Sequence, residues 1–130
     1  MKNHRPLLDE HAYSPAATTA VSQFFRNTVE EINQAIANHP VVVIGMALNL
    51  PVKRVCEALN QAQISYHYLE YGGYHNQWRR RLAIKLWSGW PTFPQVFVRG
   101  RLIGGNVETR AALADGSFTK YLTDTSTASS

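Results

Sequence analysis

Residues 90–98 read WPTFPQVFV, and together with RGRLIGG at residues 99–105 they decide the fold of this chain. Gln95–Val98 and Arg101–Ile103 are short runs rich in apolar residues on either side of Arg99-Gly100. Two short strands around a two-residue turn that ends in glycine are the pattern of a β-hairpin. The sequence therefore predicts that the chain's sheet ends in an antiparallel pair of strands.

The segments around this hairpin alternate between helical and strand patterns. Helices are predicted over Ser22–Asn38, from Pro51 onward with Asn49 as a cap, and over about Asn76–Trp87, and strands over Val41–Ile44 and Ile64–Leu69. The β-branched run at 41–44 suits a central strand that is buried on both faces. A last helix, capped by Asn106, is expected to end near Gly116. This order predicts an α/β domain with a four-stranded mixed sheet flanked by helices.

The composition indicates one folded domain, since 45% of the 130 residues are apolar. No apolar run approaches the roughly 20 residues that a membrane span needs, so we expect no membrane contact. The first 20 residues lack the apolar core of a secretory signal, which predicts a cytoplasmic protein. Residues 1–20 and 123–130 are expected to be flexible tails around a domain at 21–122.

The formal charge is +4, and much of the excess lies in Arg79, Arg80, Arg81, Lys85, Arg99 and Arg101. Two interpretations stay open for this charge: a solvated surface, or a site for a small anion or an acidic partner. No nucleic-acid-binding motif accompanies it, so nucleic acid is not an expected partner. The single cysteine and the spacing of the five histidines predict no metal site.

The run WPTFPQ at residues 90–95, followed after the hairpin by Gly104-Gly105, resembles the glutaredoxins. It is most similar to the monothiol glutaredoxins, in which a Trp-Pro pair precedes a Thr-x-Pro loop. The segment from Val29 to Val43 is also similar to that group, and the resemblance covers roughly residues 28–122. It implies a thioredoxin-like fold, a cis peptide bond before Pro94 and a groove for glutathione.

The sequence departs from this family where the family carries its chemistry. Glutaredoxins have a Cys-x-x-Cys or Cys-Gly-Phe-Ser motif between the first strand and the next helix, and this chain has GMALNLPV at residues 45–52. When the chain is aligned without a gap to the dithiol motif, Asn49 replaces the nucleophilic cysteine and Val52 replaces the resolving cysteine. An alignment to the monothiol motif instead needs a deletion that removes the motif. Thiol–disulfide exchange requires an attacking thiolate, so we expect no catalytic residue and interpret Asn49 as a helix cap.

Cys56 follows about two turns later, on the helix face that it shares with Val52, Val55 and Leu59. A free cysteine on such a face behaves as a small buried apolar residue. We expect it to fill the core, and a reactive thiol is the alternative.

The resemblance also implies a set of ligand-binding residues: Arg81, Thr92, Phe93, Pro94, Gly104, Gly105 and Asn106. The backbone before the proline would pair with an extended peptide, and the arginine, with Arg80 or Lys85 as alternatives, would hold the glycine carboxylate. The turn at residues 104–106 would bind the γ-glutamyl carboxylate through helix N–H groups.

Two charged contacts of the family are missing from this set. The aspartate that holds the γ-glutamyl amine is absent from Asn106-Val107, and a lysine after the first strand is replaced by Met46. Each lost charge-assisted hydrogen bond costs about 1.5–3 kcal/mol, so glutathione is expected to bind weakly, and no cofactor is required.

Three functions therefore remain open. The leading hypothesis is a binding or regulatory domain that holds an acidic peptide, a protein partner or, weakly, glutathione. The second is a glutathione-dependent oxidoreductase or an iron–sulfur protein of the monothiol glutaredoxin type. The third is a structural module or the subunit of an oligomer.

Overall fold

The computed structural model describes residues 4–124, which build a four-stranded sheet in the order β2-β1-β3-β4. The strands are β1 (Val41–Gly45), β2 (His67–Glu70), β3 (Gln95–Val98) and β4 (Arg101–Gly104). β2 runs parallel to β1, whereas β3 is antiparallel to both β1 and β4. The predicted four-stranded mixed sheet and its C-terminal hairpin are confirmed.

The described residues also form six α-helices: α1 (Pro15–Gln23), α2 (Arg26–Asn38), α3 (Leu50–Gln61), α4 (Trp78–Ser88), α5 (Asn106–Asp115) and α6 (Ser117–Thr123). Side chains of a strand alternate between the two faces of the sheet. Accordingly, Val42 and Ile44 of β1 join a core with residues of α2 and α4, and Val41 and Val43 join a second core with residues of α3, α5 and α6. The prediction that β1 is a central buried strand is confirmed.

The N-terminal helical region differs from its prediction. Phe25 takes a left-handed conformation with φ of 46° and separates α1 from α2, so Ser22–Asn38 is not one helix. α1 begins at Pro15 inside the segment expected to be a loose tail, and Ser14 Oγ accepts the Ala17 N–H at 3.1 Å. Serine followed by proline is a helix-start signal, and here it outweighs the small-residue composition that suggested a tail.

The C-terminal region also adds an element. α5 ends at Gly116, whose φ of 85° is easily adopted by glycine, and α6 follows it directly. Phe118 of α6 is fully buried against the second core, which explains why the fold continues beyond α5. Asn106 is the first residue of α5 and Gly105 its cap, contrary to the prediction. Thr123 is helical, and residues 125–130 of the expected tail lie outside the described residues.

Candidate functional site

A loop before β3 forms one wall of the candidate site. The Phe93–Pro94 peptide bond in this loop is cis. Gln95 is fully buried, and its Nε2 donates hydrogen bonds to the Trp90 carbonyl at 3.0 Å and to the Thr92 carbonyl at 3.4 Å. A buried amide that bonds two carbonyls fixes the course of the loop around it. The conformation of residues 90–94 is therefore set from inside the fold.

This loop borders a groove of about 530 Å³ between the start of α3, α4 and the start of α5. The groove is lined by Met46, Asn49, Pro51 and Lys85 and by residues 90–94 and 105–108. Of the residues predicted to bind ligand, the structure brings together Thr92, Phe93, Pro94, Gly105 and Asn106.

Gly104 lies beside the groove rather than in its lining, because it pairs with Val96 in the sheet. Its φ of 132° is a conformation that other residues rarely adopt, and a Cβ built on it would approach the Glu108 Cβ to 2.7 Å. Gly104 therefore allows α5 to pack closely against the end of β4.

Asn49 caps α3 at the mouth of the groove. Its Oδ1 accepts the Val52 N–H at 3.0 Å, and its Nδ2 donates to the Tyr74 hydroxyl at 3.4 Å. The predicted cap is confirmed. The Val52 side chain is 5% exposed and belongs to the core below the groove. The two positions aligned with the family's cysteines thus hold a cap and a core residue.

Cys56 is half-buried and packs against both cores, so it fills the core only in part. It is not among the residues that line the groove and instead borders a neighbouring depression with Leu48, Leu50 and Glu70, which shares Met46 and Asn49 with the groove. Burial raises the pKa of the Cys56 thiol, a hydrogen bond with Tyr66 opposes this shift, and the nearby Glu57 charge reinforces it. The only sulfhydryl of the chain is thus held in its protonated form at neutral pH.

The structure does not bring Arg81 into the groove, which corrects its expected role. Arg81 is buried, and its Nη1 donates to the Tyr71 carbonyl at 2.9 Å and to the Asn76 carbonyl at 2.6 Å. A guanidinium has only donors, so these two carbonyls make Arg81 the clamp that holds residues 71–76 to α4. Arg80 points to α2, where its Nε donates to Thr28 Oγ1 at 2.9 Å.

Lys85 is the cation that α4 presents to the groove. It lies one turn after Arg81, and its Nζ is 5.7 Å from the centre of the Phe93 ring. The sequence named Lys85 as an alternative to Arg81 for holding a carboxylate, and of these two residues Lys85 is the one that lines the groove.

The start of α5 forms the opposite end of the groove. The Gly105 N–H donates to Glu108 Oε1 at 3.0 Å, which is the N3 half of a capping box. Two enclosed polar atoms nearby, Trp90 Nε1 and Asn106 Oδ1, have no hydrogen-bond partner among residues 4–124. Sequence reasoning missed Glu108, because the capping-box spacing to Glu108 appears only when Gly105, rather than the predicted Asn106, is taken as the helix cap.

The lining of the groove is mostly uncharged. Lys85 and Glu108 are the two charged residues in its lining, and the rest are apolar residues, asparagines, a threonine and glycine. Within the described residues 4–124, no three His, Cys, Asp or Glu side chains lie close enough to hold a metal ion. The helices of this same range are all too short or too polar to cross a bilayer.

Comparison with known proteins shows which family this chain resembles in sequence and fold. The glutaredoxin family profile matches residues 53–103. A "Glutaredoxin-like protein" of Dictyostelium discoideum is 42% identical over 105 residues, which cover 78% of this chain and 85% of that protein.

Solved structures show the same fold. Oxidized glutaredoxin 2 from Chlamydomonas reinhardtii has a TM-score of 0.65 and 26% identity, over 75% of this chain and 92% of its own. A buckwheat glutaredoxin–glutathione complex has a TM-score of 0.69 and 24% identity, over 78% of this chain and 92% of its own. The sheet order, the proline loop and these similarities together show that the chain belongs to the glutaredoxin family.

Proposed function

We propose that this protein is a ligand-binding member of the glutaredoxin family that does not carry out thiol–disulfide exchange. The observation that carries the proposal is the neutral amide of Asn49 at the start of α3. The Asn49 Oδ1 accepts the Val52 N–H at 3.0 Å. Asn49 is aligned with the cysteine that provides the attacking thiolate in dithiol glutaredoxins.

The chemistry of exchange supports this proposal. A thiolate must attack a disulfide sulfur, and a helix N-terminus favours the thiolate by lowering the pKa of its cysteine. Asn49 has no ionisable group, and burial shifts the pKa of the Cys56 thiol in the opposite direction. The chain thus has a helix start that faces the groove without a nucleophile. Its thiol lies outside the lining of the groove, in a neighbouring depression that shares Met46 and Asn49 with it.

The groove itself supports binding of an extended, peptide-like molecule that ends in a carboxylate. The backbone at residues 92–94 forms its wall, where a peptide can pair as an added strand. The Lys85 ammonium lies beside this wall and can bind the carboxylate. Glutathione and the C-terminal segment of an acidic protein both belong to this ligand class. Glutathione is expected to bind weakly, because Met46 supplies no second cation.

The alternative is a glutathione-dependent oxidoreductase or an iron–sulfur protein. A cluster of the family's type needs a cysteine thiolate at the groove. The residues present do not fit that requirement, since Asn49 lines the groove and Cys56 does not.

The test combines a coupled glutathione disulfide reductase assay with a titration of the labelled protein with glutathione, followed by NMR. We expect turnover no higher than that of Cys56→Ser, and amide shifts at Lys85, Phe93 and Gly105. Lys85→Gln should weaken binding about tenfold or more, as expected for a lost charge-assisted contact. Lys120→Gln on α6, away from the groove, is the matched control. Turnover that disappears in Cys56→Ser would overturn the proposal, as would the absence of groove shifts at millimolar glutathione together with no binding of acidic peptides.

A further inference from the structure

We propose that the outer face of α4, together with a second groove between α4 and α1, is a docking surface for an acidic, amphipathic helix of a protein partner. This second groove, called the α1–α4 groove below, shares no lining residue with the groove of the candidate site. The inference therefore goes beyond the proposed function and does not depend on it.

The α1–α4 groove is larger than the groove of the candidate site and mostly apolar in its walls. Its volume is about 750 Å³, and its apolar walls include Val21 and Phe24 at the end of α1, Val29 of α2, and Leu82 and Leu86 of α4. α1 has no buried residue, and Val21 is 61% exposed. The groove is thus a recess whose apolar side chains the described residues leave open to solvent.

α4 continues this apolar surface along its outer face. Trp78, Leu82 and Leu86 are spaced four residues apart, so they form one row on the helix. They are 52%, 37% and 62% exposed, although the solvent face of a helix is normally polar. The row covers about 12 Å along the helix axis. An apolar row of this kind, unlike a single exposed leucine, is typical of an interaction site.

A cation lies at each end of the row. The Arg79 guanidinium carbon is 4.4 Å from the centre of the Trp78 ring, and no carboxylate of residues 4–124 forms an ion pair with it. At the other end, a Cβ built on Gly89, the cap of α4, would lie 2.8 Å from the Arg5 Cζ. α4 itself contains no aspartate or glutamate. The row is therefore apolar along its length and positively charged at both ends.

This combination fits an acidic helix better than other occupants. A helix that docks in a groove uses apolar side chains at i, i+3 or i+4, and i+7, and glutamates on its flanks would meet the two cations. Arg26 and Glu30 at the rim pair with each other at 3.1 Å, so they do not cancel this positive charge. A second copy of the chain would bring the same cations face to face, which is unfavourable. A flat bilayer would cover the row and leave the recess unfilled.

Three alanine-based helical peptides of about 18 residues test the proposal. The acidic peptide has leucines at i, i+4, i+7 and i+11 with glutamates on both flanks. The basic peptide has lysines in place of the glutamates, and the scrambled peptide has the acidic composition with its leucines spread around the helix. Dissociation constants are measured by NMR titration of the labelled wild-type protein, of the double variant Leu82→Gln/Leu86→Gln and of Arg79→Gln. Leu50→Gln, an exposed leucine at the start of α3, is the matched control.

We expect the acidic peptide to bind at least about tenfold more tightly than the basic and scrambled peptides, with shifts at Val21, Leu82 and the Trp78 indole. The double variant removes two apolar contacts and should weaken binding about tenfold or more. Arg79→Gln should weaken it about two- to fivefold, as for an exposed charge pair. Leu50→Gln should leave the constant unchanged, and the dispersion of the amide spectrum checks that each variant is folded.

Several results would overturn the proposal. Equal binding of the acidic and basic peptides would refute the charge complementarity, and an unchanged constant in the folded double variant would refute the apolar row. A dimer in analytical ultracentrifugation that the double variant loses would show that a second copy occupies the surface. Binding to vesicles of phosphatidylcholine and phosphatidylglycerol that the double variant loses, with no binding of the acidic peptide, would identify a lipid surface instead. None of these results changes the glutathione titration, so the proposed function is tested separately.

Discussion

Replacing Asn49 with cysteine should create a thiolate where the wild-type protein has a cap. The Val52 N–H that now donates to Asn49 Oδ1 at 3.0 Å would face the new sulfur. A cysteine at a helix N-terminus has its pKa lowered from about 8.5 into the range of roughly 3.5–7.5. For a pKa of about 6.5, the thiolate fraction at pH 6 rises from roughly 0.3% to roughly 24%, which is about 75-fold.

The reaction rate should rise by less than the thiolate fraction. Nucleophilicity falls as the pKa falls, and a Brønsted coefficient of about 0.45 over two pKa units removes a factor of roughly eight. The net expectation is alkylation at pH 6 about tenfold faster than that of an ordinary thiol. The assay is the pH dependence of iodoacetamide labelling, followed by mass spectrometry in a Cys56→Ser background so that only the new thiol reacts.

Asn49→Ser in the same background is the control for folding, because serine also caps helices and carries no thiol. Loss of the asparagine cap costs about 1 kcal/mol, so Asn49→Cys should remain folded. An apparent pKa at or above 8.5 for the new thiol, in a folded protein, would refute the reasoning. It would mean that the start of α3 does not stabilise an anion at position 49.

Two further predictions concern groups outside the groove. Arg81→Lys should lower the free energy of unfolding, measured by urea denaturation, by about 1.5–3 kcal/mol, because a single ammonium cannot replace the guanidinium that holds the Tyr71 and Asn76 carbonyls. The control is Arg79→Lys, an exposed change on the same helix, and equal stability of the two variants would contradict the clamp. Burial raises the pKa of the Cys56 thiol in the folded state. The protonated thiol therefore contributes fully to stability below the unfolded-state pKa of about 8.5, and this contribution is lost as the pH rises through the folded-state pKa. Cys56→Ala should therefore show a smaller fall in unfolding free energy above about pH 8.5 than the wild type, and identical slopes would argue against the burial of this thiol.

The parts of the fold with strong local signals were predictable from the sequence. β3 begins and ends where the apolar run at residues 95–98 predicts it, because the turn Arg99-Gly100 fixes the hairpin. The Asn49 cap was predictable because a cap depends on the few residues around it. The break at Phe25 was not, since nothing in the local pattern distinguishes a left-handed phenylalanine from a helical one.

In the candidate site, too, some features were predictable from local sequence and others depend on tertiary packing. Arg81 and Lys85 are four residues apart on the same face of α4, about 6 Å along its axis. Counting from the Trp-Pro pair identifies the face, but it cannot show which of the two residues reaches the groove. The loop at residues 71–76 decides this, because its carbonyls meet Arg81 and leave Lys85 for the groove. That loop is positioned by tertiary packing, which no local pattern of α4 contains.

The loss of the nucleophile and the retention of the groove are compatible because different groups support them. A cysteine at a helix start is a poor substitute for a cap, whereas Asn49 satisfies the Val52 N–H fully. The proline loop is held by Gln95 from inside the fold, so its shape does not depend on the residue at position 49. The charged residues in the lining of the groove are Lys85 and Glu108. Under the proposed function, a ligand of this groove is recognised through these charges and the backbone of the proline loop, and not through a thiolate.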